Sequence, residues 1–198
     1  MSKKPLVLAL ALASSLSLLT LSLVSASKTA LGQGNLLANP DFEAGTSGWN
    51  VSYAATAVTV TTPVQSGNWA AALNRSDAGF EISIYQDVMV IPGATYTLTG
   101  WIYKDEDAFK RACLRIDWRD PQWPPLDSDW VTDDHGYYRP ITVGPVTPPP
   151  DASKARISAV AEIRTAGPPN PIYFDDLRLT SNMMPTGCLP LLLKNYQG

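Results

Sequence analysis

From residue 51 to residue 180 the chain alternates apolar and polar positions in short runs. Residues 51–62 (VSYAATAVTVTT) are rich in β-branched side chains. Phe80, Ile82 and Ile84 alternate with Glu81, Ser83 and Tyr85. In residues 95–103, Tyr96, Leu98, Gly100 and Ile102 alternate with Thr97, Thr99, Trp101 and Tyr103. In 111–118, Leu114, Ile116 and Trp118 oppose Cys113, Arg115 and Asp117. In 154–163, Ala155, Ile157, Ala159, Ala161 and Ile163 oppose Arg156, Ser158, Val160 and Glu162. Shorter runs at 69–73, 137–143 and 172–180 complete the series. A period of two puts successive side chains on opposite faces of a strand, so each run predicts a half-buried strand. The breaks fall at Ser66-Gly67, Pro92-Gly93, the proline-rich 145–151 and 167–171, which are turn compositions. No run has helical period. The pattern predicts an all-β fold, an antiparallel β-sandwich in one domain. Residues 35–43 are expected to begin a strand, with Trp49 a core anchor after a glycine turn. Residues 119–134 are expected to form a long loop.

The last run, IYFDDLRLT at 172–180, sets the most specific demand. Asp175 and Asp176 lie among Ile172, Phe174, Leu177 and Leu179. Neighbours on a strand face opposite ways, so one aspartate shares the side of Leu177 and Leu179 and is at least partly buried. A buried carboxylate needs a cation or several donors. A second acidic segment, Asp41-Phe42-Glu43, lies far upstream. The two ends of the chain are therefore expected to meet and share one bound cation.

Composition narrows the setting. The 198 residues include 17 Pro and 13 Gly, and six Trp against four Phe. A formal net charge of −3, with no basic stripe, argues against a nucleic-acid partner. Lys3 and Lys4, the uncharged apolar run 5–24 and the small-residue triplet Val24-Ser25-Ala26 read as an export signal spanning 1–26. The expected organisation is this signal, a linker at 27–34, the sandwich at 35–181 and a tail at 182–198. The expected product is secreted, extracellular or at the cell surface, monomeric and without a membrane segment once the signal is removed. Export would permit a disulfide between Cys113 and Cys188; the alternative is two unrelated thiols.

A catalytic constellation is not legible. The one histidine, His135 in Asp133-Asp134-His135-Gly136, reads as a turn residue. Asp127-Ser128-Asp129 opens like a calcium loop, but Val131 stands where an oxygen ligand belongs. Asp117 and Glu162 could be put forward as a glycosidase pair only because acids are common here. The expectation is a protein without enzymatic activity.

Four segments carry a resemblance. They are NLLANPDFE at 35–43 followed by a glycine turn and Trp49, VQSG at 64–67, QDVMVIPGATYTL at 86–98, and YFDDL at 173–177. In this order they resemble the jelly-roll carbohydrate-binding modules of families 4, 9 and 22, over roughly residues 35–181. The resemblance implies a jelly roll, a structural calcium ion and a sugar groove. Calcium would take side-chain oxygens of Glu43 and Asp175 and main-chain carbonyls near Asp41, Gln65 and Asn68, a donor set suited to its six to eight oxygen ligands. The groove would hold polysaccharide or oligosaccharide on aromatic platforms beside hydrogen-bonding groups. Trp101, Tyr103, Tyr85, Arg115, Asp117 and Glu162, from the polar faces of their strands, are expected to line one concave sheet, with Trp123 and Trp130 added by the loop. A different reading treats the domain as a structural or protein-interaction module held at the cell surface by its tail, where CLPLLLK at 188–194 is apolar then basic.

Overall fold

The alternating runs become strands, and ten strands are present among the described residues. The computed structural model describes residues 34–52, 55–74, 81–104, 109–119, 124–132, 136–163 and 171–182. In chain order the strands are β1 (Asn50–Val51), β2 (Thr56–Val60), β3 (Ala70–Asn74), β4 (Glu81–Met89), β5 (Thr95–Tyr103), β6 (Phe109–Arg119), β7 (Leu126–Asp127), β8 (Tyr138–Val146), β9 (Lys154–Ile163) and β10 (Ile172–Asn182). They form two five-stranded antiparallel sheets. The first has order β1-β4-β9-β6-β7, the second β2-β3-β10-β5-β8. Among the described residues there is no helix.

The core lies between the sheets. Ile82, Ile84, Leu114, Ile116 and Ile157 of the first sheet and Leu73, Leu98, Ile102, Phe174 and Leu177 of the second are all fully buried. Each such side chain contributes roughly 1.5–3 kcal/mol by leaving water. These are the apolar members of each run, so the period-two pattern selected the inner face. Gly100 makes room for this packing: a Cβ there would stand 2.4 Å from Leu177 Cδ2.

Two expectations are corrected. Residues 35–43 form bends and turns rather than a strand. They are ordered by side chains: Asn39 sits at φ 45° and binds the carbonyls of Gly45 (2.7 Å) and Ser47 (3.1 Å) through its amide. The Asn39 side-chain oxygen accepts the Ala44 N–H, and its main-chain carbonyl accepts the Trp49 indole N–H at 2.9 Å. The second correction lies in 119–134. That stretch is partly strand: β7 pairs with β6, and Val131 bridges Ala112, so the first sheet gains an edge.

Candidate functional site

Apolar parity along the closing strand changes sides. Ile172 and Phe174 face the core, and so do Leu177 and Leu179, although the two pairs differ in parity. A bulge between Asp175 and Arg178, with Asp176 at φ 48°, absorbs the shift. Asp175 is therefore buried, as expected, but not on the leucine side. It faces outward from the second sheet, opposite Trp101 on β5, and is enclosed there. The bulge also receives the start of the chain. Leu177 N–H donates to the Pro40 carbonyl (3.0 Å), Leu36 N–H to the Leu179 carbonyl (2.9 Å), and the Asn35 amide to the Leu177 carbonyl (2.7 Å).

Asp175 is enclosed by the turn at 64–69. Its Oδ2 accepts the N–H groups of Gln65 (2.8 Å) and Ser66 (3.3 Å), and its Oδ1 accepts that of Asp176 (2.8 Å). Glu43 grips the same turn from its far end. Glu43 Oε1 accepts the N–H groups of Asn68 (2.6 Å) and Trp69 (2.9 Å), and Oε2 accepts the Asn68 amide (3.0 Å). Ser66 Oγ donates to Asp176 at 3.0 Å. Gly67 is required beneath Glu43: its φ is +62°, and a Cβ would lie 2.3 Å from Glu43 Oε1. The Asn68 and Trp69 donors hold the Glu43 carboxyl below its ordinary range. Burial pushes Asp175 up to about 6, against the pull of its three N–H donors. The opening and closing segments thus meet at one turn. Gln65 and Asn68 take part through N–H groups rather than the carbonyls expected of them, and the Asp41 carboxylate reaches only the Glu43 N–H, at 3.5 Å.

The donor chemistry is compatible with a hard cation. Each carboxylate oxygen can accept two bonds. Asp175 Oδ1 and Glu43 Oε2 each accept one, which leaves an acceptor position on both. Among the described residues no basic side chain pairs with Glu43, Asp175 or Asp176. Nor does any group of three or more acidic, histidine or cysteine side chains come close enough to hold a metal. A metal here would need main-chain oxygens as well.

The outer face of the first sheet brings together most of the other expected residues. Strand register sets them in rows across β4, β9 and β6: Glu81, Glu162, Arg111; Ser83, Val160, Cys113; Tyr85, Ser158, Arg115; Asp87, Arg156, Asp117; Met89, Lys154, Arg119. Ion pairs tie the rows. Arg111 pairs with Glu162. Arg156 takes Asp87 through two nitrogens (2.8 and 3.0 Å). Arg119 lies 3.2 Å from Asp117. Arg115 grips both oxygens of Glu81. By register that last pair crosses diagonally over Val160, which is fully buried although it points outward, as is Cys113. Two aromatic rings border this lattice, and each carries a guanidinium. Arg156 lies 3.9 Å from the Tyr85 ring centroid and Arg111 3.9 Å from that of Trp130. The bond to Arg156 holds the Asp87 carboxyl below its ordinary range, and the same bond raises Arg156.

Trp101 and Tyr103 do not join this face. They lie on β5, on the outer side of the second sheet, so a single groove over all the expected residues does not form. Tyr103 packs between Tyr138 (5.4 Å) and Tyr173 (5.5 Å). The Tyr138 hydroxyl donates to the Pro63 carbonyl at 3.0 Å, tying the stretch before the 64–69 turn to this face. Burial raises the Tyr138 phenol well above its ordinary value. Ala70 and Ala72, which share the outer side of β3, are buried as well. Trp123, His135 and the 183–198 tail with Cys188 lie outside the described residues. Sequence reasoning had overlooked Glu81, Asp87, Arg111 and Arg156. Glu81 and Asp87 sit four and two positions from Tyr85, Arg111 four from Arg115 and Arg156 six from Glu162, and period two would have found them.

One further contact agrees with a sequence motif. The Gln86 amide oxygen accepts the Ala38 N–H (3.0 Å), and its nitrogen donates to the Ala38 carbonyl (2.6 Å), closing the opening segment onto the first sheet. The same two-sheet arrangement recurs in solved structures. The chain has the fold of the jelly-roll carbohydrate-binding modules. A family 61 module in complex with β-1,4-galactotriose matches with TM-score 0.53 at 20% identity, over 75% of this chain and 99% of the other. A family 16 module matches with TM-score 0.57 at 18% identity, over 74% and 99%. The jelly roll is also shared with the Stig cyclase Fisc from Fischerella, with TM-score 0.58 at 15% identity, over 75% and 97%. No protein-family model and no curated protein matches the sequence.

Proposed function

We propose that this jelly roll is an exported, non-catalytic glycan-binding module that takes its ligand on the outer face of the first sheet. One observation carries the reading. That face combines two flat aromatic rings with fixed, forked hydrogen-bonding groups on adjacent strands, while Tyr138 and the 64–69 turn bind down the corresponding face of the second sheet. Sugars need this pairing, because a pyranose has apolar C–H faces and polar edges. Similar modules include one bound to β-1,4-galactotriose, which raises the prior for a saccharide. Export is supported by the signal-like residues 1–26.

The same reading gives calcium a structural part. Asp175 and Glu43 would hold the ion, with main-chain oxygens of the segments they join. The ion would neutralise a wholly buried carboxylate that has only N–H donors as partners. When bound it supplies positive charge at the junction of the chain's opening and closing segments. Glu43 and Asp175 fix the 64–69 turn through its N–H groups.

Affinity electrophoresis of the purified chain in gels containing soluble polysaccharides tests the sugar reading. Retardation by at least one polysaccharide is expected, reduced about tenfold in affinity by Tyr85→Ala or Trp130→Ala and unchanged by Trp101→Ala. Unchanged mobility across glucans, xylans, galactans and acidic polysaccharides would overturn it.

A further inference from the structure

We infer that the glycan taken by the outer face of the first sheet is acidic, bearing carboxylates along its chain; this rests on the glycan-binding reading above. The first argument is steric. A neutral sugar stacks on the bare face of an aromatic ring. Tyr85 and Trp130 have one ring face each already taken, because a guanidinium lies 3.9 Å from each ring centroid, so less ring surface is left to a neutral sugar. Each pair sets a planar cation against an aromatic ring. The ring holds the fork in one orientation and lowers the cost of using it.

The second argument is the charge layout. On the outer positions of β9 and β6 stand five basic residues, Lys154, Arg156, Arg111, Arg115 and Arg119, against two acids, Glu162 and Asp117. This local excess of positive charge occurs in a chain of formal net charge −3. Two acids that neutralise it from the side, Glu81 and Asp87, stand on the flanking strand β4. Their side chains are 43% and 45% exposed, whereas those of Arg115 and Arg156 are 17% and 29% exposed. The cations are central and held; the acids are peripheral and solvated.

The third argument is that the ligand chemistry is already enacted within the protein. Arg115 grips Glu81, and Arg156 grips Asp87, each through two nitrogens on two carboxylate oxygens. Half-exposed pairs of this kind contribute little net stability. A uronate carboxylate can replace Glu81 or Asp87 on the same fork with the same geometry. No covalent step is involved; one carboxylate exchanges for another, and the displaced acid returns to water.

The experiment compares polygalacturonate and alginate with neutral galactan, xylan and glucan, and with dextran sulfate, by affinity electrophoresis and titration calorimetry on the full chain. Binding to a carboxylated polysaccharide is expected, weakening as salt rises and falling about tenfold in Arg156→Ala. Asp87→Asn removes the internal competitor while keeping the side-chain volume. It is expected to raise affinity for the carboxylated polysaccharide several-fold, a gain that loss of folding cannot imitate. Binding confined to neutral polysaccharides would overturn the acidic-ligand inference and leave glycan binding standing. In that case Arg156→Ala, which bares the Tyr85 ring, would strengthen binding rather than weaken it. Equal binding to dextran sulfate would overturn carboxylate recognition in favour of unselective charge. Binding to none of these polymers would overturn both readings.

Discussion

Replacing Asp175 by asparagine separates the work of its charge from that of its shape. The side chain is wholly buried, and its two oxygens accept three N–H groups. An asparagine can keep its oxygen toward Gln65 and Ser66, but its NH2 then confronts the Asp176 N–H. A buried unsatisfied donor costs about 1–3 kcal/mol, and the two retained bonds weaken when the acceptor is neutral. The unsatisfied donor sets the loss, about 1–3 kcal/mol, because the weaker bonding is already contained in the raised value of the carboxyl. Against it stands the cost of the buried charge. A carboxyl raised from 3.8 to about 6 is less willing to ionise by at most roughly 3 kcal/mol, and by less once solvent screening is allowed for. Because the folded value is raised, the native state binds the extra proton. Without metal, the contribution of Asp175 to stability is therefore fully present below about 4 and is lost as pH rises through about 6. At pH 7.5 in chelator the two contributions nearly cancel, and Asp175→Asn should lie within about 1 kcal/mol of the parent. Calcium changes the comparison. At one hundred times its dissociation constant a native-state ligand adds about 2.7 kcal/mol to the parent. The variant, lacking the anionic oxygen, should gain little. Urea unfolding of both proteins at pH 7.5, in EDTA and in excess calcium, reads this out. Identical midpoints for the parent in EDTA and calcium would refute the calcium site. A loss above 3 kcal/mol for the variant in EDTA would refute the charge argument.

Two further predictions are independent of that site. Gly144 stands at φ +102°, and a Cβ there would lie 2.6 Å from the Tyr96 carbonyl oxygen and 3.1 Å from Val146 N. Both neighbours are backbone and cannot swing aside, so Gly144→Ala should destabilise by about 3–5 kcal/mol from strain and overpacking together; urea unfolding showing less than 1 kcal/mol would contradict the geometry. Asp87 should titrate below the ordinary carboxylate range in the parent and move upward in Arg156→Ala, followed by the carboxyl carbon shift in NMR. Since the folded value is lowered, this pair contributes above pH 3.8 and is lost as pH falls through the folded value.

Much of this arrangement was readable residue by residue. Runs such as Thr95–Tyr103 and Lys154–Ile163 coincide with β5 and β9, because a half-buried strand imposes its period directly on side-chain polarity. A buried carboxylate in the closing strand was also legible, since one of Asp175 and Asp176 had to lie among residues that demand burial, and it is Asp175. The closing strand carried one signal that went unread. The apolar positions change parity between Phe174 and Leu177, and that change marks the bulge that turns Asp175 outward. The opening segment was misread because Ala38, Pro40 and Phe42 alternate with Asn39, Asp41 and Glu43 like a strand, while its order comes from Asn39 side-chain bonds and left-handed backbone at Asn39 and Phe42.

The amino-acid order determined the inner face of each strand, the turns between them, and the requirement that a buried acid find partners, because those are local consequences of polarity and backbone chemistry. It did not determine which strands share a sheet. Trp101 and Arg115 sit at equivalent outward positions of successive strands, yet β5 and β6 belong to opposite sheets. Pairing is a long-range choice made by the collapse of the whole core, and alternation is the same whichever sheet a strand joins. Only the tertiary structure therefore decided that Tyr85, Arg115, Asp117, Trp130 and Glu162 form one face, and that a guanidinium lies against each of its rings.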